Sequence, residues 1–201
     1  MSSLISAAQE AVAIPLQYAR AGSSLVHAAM AGAKRCELLA HYPRHDVVDA
    51  VHRTRYYYHA HGSSRQPNAE HGHFHVFSHG GGGDYVHLVG ISLDAVGQPL
   101  RLFTTNRWVT GEMWRDAAEI QTLLEPFHVH SRGRMAPVSR WITAMVRLYR
   151  PQIGQLLRRR DACMARRSAQ GGMEALWEDR RLDVVSQRRI SLIQRIQQLG
   201  R

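Results

Sequence analysis

The chain has 201 residues, of which 44% are hydrophobic and 21% are charged, and this composition provides for one buried core and excludes a disordered protein. The formal net charge of +10 comes from residues 132–201, where sixteen arginines stand against five acidic residues. The sequence therefore predicts a single domain over residues 1–201 with a strongly basic C-terminal third.

Neither cysteine is part of a recognisable motif. Cys36 and Cys163 lie far apart and neither stands beside another cysteine, so a zinc knuckle or a disulfide framework is not indicated. No apolar run approaches the roughly 20 residues that span a bilayer, and the first residues lack the basic start of a signal peptide. We therefore expect a cytoplasmic protein that makes no membrane contact.

The first forty residues, 1–40, are predicted to be helical. Apolar residues recur at helical spacing over residues 3–39, and Ala21-Gly22-Ser23-Ser24 supplies a break and a new N-cap, so two helices are expected. Pro43 then ends the helical pattern, because the residue before a proline is pushed towards extended geometry.

Residues 55–105 are predicted to form a small antiparallel meander of about four strands. Four segments are rich in aromatic and β-branched residues: RYYYHAH, HGHFHVF, DYVHLVGISL and PLRLFTT. A polar loop, the glycines at 80–83 and the connection at 94–99 separate them, so consecutive strands should pair as hairpins.

Residues 110–201 are predicted to be helical and rich in arginine. Thr110 is the expected cap of a helix that runs to about Leu124, and two helical stretches, 138–150 and 152–167, should be kinked or separated at Pro151. The last segment permits either one helix or a short strand followed by a helix capped by Ser191. The predicted fold class is therefore α+β, with the sheet flanked by N- and C-terminal helices.

Histidines are concentrated in the predicted sheet, since ten of the thirteen lie within residues 41–87. Side chains alternate between faces along a strand, so the histidines of each of the first two strands should share one face. Opposed residues on paired strands have Cβ atoms about 5 Å apart, which allows imidazoles from both strands to converge on one ion. The candidate metal ligands are His59, His61, His71, His73 and His75.

This cluster predicts a site for a transition metal, which could be iron, zinc or copper. Glu70 stands beside it as a further ligand or a general base, and Arg107, at the end of the fourth strand, is a candidate to bind substrate. The predicted function is a metal-dependent enzyme in which the metal polarises a small-molecule or peptide substrate, or activates water or dioxygen. The alternatives are a polar or pH-responsive histidine cluster and, for Arg107, a turn that begins a helix.

A second functional class follows from the charge distribution. The Arg-rich C-terminal helices could bind nucleic acid or an acidic partner, in which case the histidines would be structural. The alternative is that these arginines only line solvated helix faces.

Two resemblances add to these predictions. The segment His71-Gly72-His73-Phe74-His75-Val76-Phe77 resembles the histidine-triad motif of nucleotide hydrolases and transferases, which implies that His73 attacks phosphorus, although that family has an apolar residue where Gly72 stands. The longer run 41–112, including EHGHFHVF and LRLFTTNRWVTGE, resembles an uncharacterised bacterial family of unknown function. That second resemblance implies no activity and no catalytic residues.

Overall fold

The centre of the fold is an antiparallel sheet whose strands are neighbours in chain order. The structure, a computed structural model, describes residues 2–33, 37, 40–60, 70–80, 84–169 and 171–200. Within these residues the sheet has six strands: β1 (His41–Asp49), β2 (Thr54–Ala60), β3 (Glu70–His79), β4 (Tyr85–Asp94), β5 (Pro99–Thr105) and β6 (Val184–Arg189). The predicted α+β class and antiparallel meander are confirmed, but the predicted number of about four strands is wrong, because β1 and β6 add an edge strand at each side.

Helices flank the sheet at both ends of the chain. They are α1 (Ser2–Arg20), α2 (Leu25–Ala29), α3 (Arg107–Thr110), α4 (Ala117–Leu124), α5 (Ala136–Ser168), α6 (Met173–Trp177) and α7 (Leu192–Leu199). The predicted break between the first two helices is confirmed, since the Ser24 side chain accepts the backbone N–H of His27 as an N-cap. None of the helices that the structure describes is both long and apolar enough to cross a membrane.

Two helix boundaries differ from the prediction. The helix predicted from Thr110 begins instead at Ala117, since Thr110 is the last residue of α3. Its cap is Asp116, whose side chain accepts the N–H of Glu119 in a reciprocal capping box. Pro151 lies inside α5 and does not separate two helices. Both turns beside it are packed into the core, with Leu148 and Ile153 fully buried, and this packing outweighs the one backbone hydrogen bond that proline removes.

The end of the chain adopts the strand-and-helix alternative. Residues 184–189 pair with β5 as β6, and Ser191 accepts the N–H of Gln194 to cap α7. Cys36 and the glycines 81–83 of the predicted turn lie outside the described residues.

The two faces of the sheet have different partners. On one face, which we call the helix face, the Phe74 ring lies 5.8 Å from the Trp141 ring of α5, and Tyr56 Oη lies 2.9 Å from Ser139 Oγ of the same helix. Because side chains alternate, the residues between these on β2 and β3 point to the other side. We call this other side the histidine face; its buried members include Tyr57, His73, His75, Phe77, His87 and Phe103.

Candidate functional site

Three of the predicted ligands come together on the histidine face. The register of β2 and β3 sets His59 opposite His73, so that their rings stack 5.6 Å apart. The His75 ring follows two residues along β3 and lies 4.7 Å from that of His73. Imidazoles from the two paired strands are therefore neighbours on this face, whereas His61 lies outside the described residues.

His71 points to the opposite face, so the expectation that it shares a face with His73 and His75 is wrong. A bulge between Glu70 and Gly72 adds one residue to β3 against β4 and reverses the alternation at this point. His71 Nδ1 consequently lies 2.9 Å from the hydroxyl of Tyr58. Gly72 is required there, because a Cβ would lie 2.7 Å from that hydroxyl oxygen.

The same bulge brings Glu70 onto the histidine face, where its carboxylate has partners on both oxygens. His73 Nδ1 lies 2.9 Å from Oε1, while Arg101 of β5 donates to Oε2 from Nε at 3.1 Å and from Nη2 at 2.9 Å. Arg101 reaches Glu70 because it belongs to the cross-strand row that pairs His73 with Ser92 and Ser92 with Arg101. The Glu70 side chain is only 4% exposed.

The ionised carboxylate of Glu70 determines which ring nitrogen of His73 carries the hydrogen between them. Burial alone would raise the pKa of Glu70, but the hydrogen bond and charge of His73, together with the charge of Arg101, hold it below its ordinary value. An ionised carboxylate can only accept hydrogen bonds, so Nδ1 of His73 carries the hydrogen that joins them. Any proton exchange or metal coordination by His73 would take place at Nε2.

Two further imidazoles, those of His75 and His87, are buried beside this network. His75 Nδ1 and His87 Nε2 are 3.1 Å apart, so one ring donates to the other. Burial, reinforced by the neighbouring His73 and His87, lowers the pKa of His75 well below its ordinary value. Burial, with the charges of Arg160 and His73, lowers the pKa of His87 to about 3. Both rings are therefore neutral at pH 7.

Phe103 packs over these rings. It stands opposite Gly90 on the neighbouring strand, and a Cβ on Gly90 would lie 2.3 Å from the phenyl ring. The Phe103 ring is 5.0 Å from that of His73 and 5.8 Å from that of His75. The absence of a side chain at Gly90 thus leaves room for the Phe103 ring beside the buried histidines.

The predicted metal stays a prediction. In the part of the chain that the structure describes, no three or more His, Cys, Asp or Glu side chains are grouped so that they could hold an ion. Glu70 bonds to His73 and Arg101, and His75 bonds to His87, so these groups satisfy one another.

Arg107 is not beside the histidines. Its backbone N–H is capped by Asn106, as in a turn that begins a helix, and its Nη2 donates to Glu178 Oε1 at 2.7 Å. Its side chain lines a separate cleft of about 730 Å³ together with Trp114 and Trp177.

The same cleft contains a carboxyl group that the sequence does not identify. Glu112 is 6% exposed and its Oε2 accepts the backbone N–H of His87. Burial raises the pKa of Glu112 to about 8, although that hydrogen bond and the charge of Arg160 oppose the shift. Glu112 follows α3 in a loop with no local motif, so no pattern in the sequence marks it.

Several C-terminal arginines have partners within the chain. Arg160 is buried and donates to the backbone oxygen of Arg115 at 2.5 Å, Arg188 donates to Gln155, and Arg195 donates to the backbone oxygen of Leu148. These side chains join α5 to neighbouring segments of the chain, and the predicted nucleic-acid or acidic partner stays a prediction.

Comparisons with known proteins place the chain in a family. No curated protein and no solved structure matches it. A family model described as Domain of unknown function (DUF6969) matches residues 5–190, which include the sheet, α5 and the residues of both sites. The match covers most of the chain and confirms the predicted membership of an uncharacterised family, so the protein belongs to the family described as Domain of unknown function (DUF6969).

Proposed function

We propose that the protein is an enzyme that transfers protons to and from a small-molecule or peptide substrate at Nε2 of His73, with Glu70 as the residue that orients the imidazole. One observation carries this proposal: the Glu70 carboxylate binds His73 Nδ1 with one oxygen and two N–H groups of Arg101 with the other.

This arrangement supports proton transfer for electrostatic reasons. A carboxylate at Nδ1 fixes the tautomer in which Nε2 can accept a proton, and it stabilises the imidazolium that forms. The two N–H groups of Arg101 hold the carboxylate in place, because a guanidinium that donates from two nitrogens restricts both distance and orientation. Glu70 therefore acts on the reaction through His73 and is a positioning residue, not the general base that the sequence suggested.

The rings around His73 restrict its motion. The imidazole is stacked on that of His59, and the Phe103 ring lies 5.0 Å away and nearly perpendicular to it. A histidine that is already oriented loses less entropy on reaching the transition state, and general acid–base catalysis of this kind contributes about 10² to 10⁴ in rate.

The metal-dependent form of this function is the second candidate. A metal-binding histidine commonly donates its other ring N–H to a carboxylate, which is the relation of His73 to Glu70. His59 supplies a second imidazole 5.6 Å away, between ring centroids. In this form iron, zinc or copper would be bound at His73 Nε2 and would activate water or polarise the substrate.

Two variants test the proposal. His73→Gln removes the proton-transferring group, Glu70→Gln removes the ionised partner, and Glu125→Gln, in which a largely exposed carboxylate that pairs with Arg150 is replaced, is the matched control. Each protein is incubated with a panel of esters, amides, phosphate esters and cell-extract metabolites, and conversion is followed by mass spectrometry. We expect at least one conversion that the wild type and the control share and that His73→Gln lowers by about 100-fold or more.

A spectroscopic measurement gives an independent readout. Long-range proton–nitrogen NMR should show His73 with its hydrogen on Nδ1 in the wild type, and Glu70→Gln should relax this preference because an amide can donate as well as accept. A wild type in which His73 carries its hydrogen on Nε2 alone, or a panel without any conversion that depends on His73, refutes the proposal.

Metal analysis separates the two forms. Less than about 0.1 metal per chain, in protein purified without a histidine tag and again after exposure to zinc, copper and iron(II), with stability unchanged by chelator, eliminates the metal-dependent form. The acid–base form is then the one that remains to explain the conversion.

A further inference from the structure

The cleft beside α3 has the features of a ligand site and lies apart from His73. Its volume of about 730 Å³ falls within the range of small-molecule pockets. Its wall is formed by Arg55, Tyr85, Arg107, Glu112, Trp114 and Trp177, together with Asp84 and two further residues.

Two buried polar atoms in this wall, Glu112 Oε1 and Trp177 Nε1, have no hydrogen-bond partner among the described residues. Arg55 Nε makes no hydrogen bond either, but it lies 3.5 Å from the carboxylate of Asp46. Buried polar groups in native proteins are nearly always satisfied, because leaving one unpaired costs the free energy of removing it from water. The two unpaired atoms, Glu112 Oε1 and Trp177 Nε1, are accounted for if a bound molecule supplies the partners.

The chemistry of the wall defines that molecule. The indole N–H of Trp177 is an unpaired donor, and the guanidinium groups of Arg55 and Arg107 line the same wall, so the wall favours an anionic acceptor. Glu112 does not oppose an anion at pH 7, because burial raises its pKa to about 8 and keeps it protonated. Three acidic residues lie near this wall: Asp84 lines it, Asp46 lies 3.5 Å from Arg55, and Glu178 is paired with Arg107.

The remaining wall is aromatic. The rings of Trp114 and Trp177 lie 6.0 Å apart at an interplanar angle of 39°, and Arg55 lies 4.5 Å above the ring of Tyr85. Aromatic surfaces of this size favour a flat ring by offset or edge contacts.

We infer that this cleft binds a planar aromatic molecule that carries one anionic group, with its ring against Trp114 and Trp177 and its charge towards Arg55 and Arg107. The inference does not depend on the catalytic role of His73.

The test uses four probes that separate ring from charge. These are 2-naphthoate, 2-naphthyl phosphate, the neutral 2-naphthalenemethanol and the non-aromatic cyclohexanecarboxylate. Binding is measured by calorimetry and by the NMR signals of the four tryptophan side-chain N–H groups. We expect one or both naphthyl anions to bind with a Kd below about 1 mM and to shift the Trp177 signal, with the two other probes about tenfold weaker or worse. The better naphthyl anion identifies the anionic group as carboxylate or phosphate.

Matched tryptophan variants locate the site. Trp177→Phe removes the unpaired N–H and should weaken binding of the better anion by about tenfold. Trp108→Phe also removes an indole N–H, but that group is already bonded to the backbone oxygen of Leu182 outside the cleft, so its Kd should equal that of the wild type. Absence of saturable binding by both naphthyl anions, equal binding of the neutral probe, or equal Kd values for the two variants overturns the inference.

Discussion

The raised pKa of Glu112 predicts an unusual dependence of stability on pH. The carboxyl has an ordinary value of 4.5 and a folded value of about 8, so the folded protein binds a proton that the unfolded chain releases between these limits. A group with a raised folded pKa contributes its full stability below the unfolded value, and this contribution is lost as pH rises towards the folded one. Glu112→Gln mimics the protonated form and should remove the dependence.

The magnitude follows from linkage. Each pH unit within the window is worth about 1.4 kcal/mol, so between about pH 5.5 and about pH 7.5 the wild type should lose about 2.5 kcal/mol relative to Glu112→Gln. The lowered pKa of His87 acts in the opposite sense, since its contribution is present above about 6.5 and lost as pH falls towards 3. Both proteins retain His87, so its effect cancels in the difference.

Urea unfolding of both proteins at three pH values in this range measures the difference directly. A free-energy difference that stays constant with pH, or that shrinks as pH rises, would show that Glu112 titrates near its ordinary value and would refute the argument from burial.

Two further substitutions test the packing and capping of the fold. Gly90→Ala should destabilise the protein by about 1 to 3 kcal/mol in urea unfolding, because its Cβ would lie 2.3 Å from the buried ring of Phe103. The control is Gly171→Ala, whose Cβ would meet nothing within 4 Å. Equal losses of stability in the two variants would contradict this explanation. Asp116→Ala should cost about 1 kcal/mol by thermal unfolding, since it removes the side chain that accepts the N–H of Glu119, and an unchanged melting temperature would show that the capping box is dispensable.

The sequence predicts the parts of the fold that depend on neighbouring segments. Strands β2 to β5 follow from their aromatic and β-branched composition, because each pairs with the next through a hairpin or a loop. The pairing of β6 with β5 joins Thr105 to Val184, and a contact so distant in sequence leaves no local pattern. β1 is not predictable from the sequence for a different reason. It contains Pro43 and mostly polar residues, which are tolerated at a sheet edge but are not typical of a strand.

The candidate site, too, can be predicted from the sequence only where its residues are close together in the chain. Glu70 and His73 are three residues apart, so their association is accessible from the sequence, whereas Arg101 joins them only through the register of two further strand pairs. The side of the sheet on which His71 lies depends on a bulge in β3, and no distinctive residue pattern in the sequence predicts that bulge. Glu112 reaches His87 from a loop, and only the folded chain reveals it.

The protonation states of the two buried carboxyl groups favour a functional role for the histidine face. His87 Nε2 lies beside His75, whose ring contacts that of His73, so these three histidines connect the neighbourhood of Glu112 with that of Glu70. Arg101 and His73 lower the pKa of Glu70, while burial raises that of Glu112 to about 8. At neutral pH one carboxyl is therefore an acceptor and the other an acid, which is how environments divide acid and base roles in enzymes. Burying such groups lowers the stability of the fold relative to an apolar core, and destabilising arrangements of this kind are typical of functional sites.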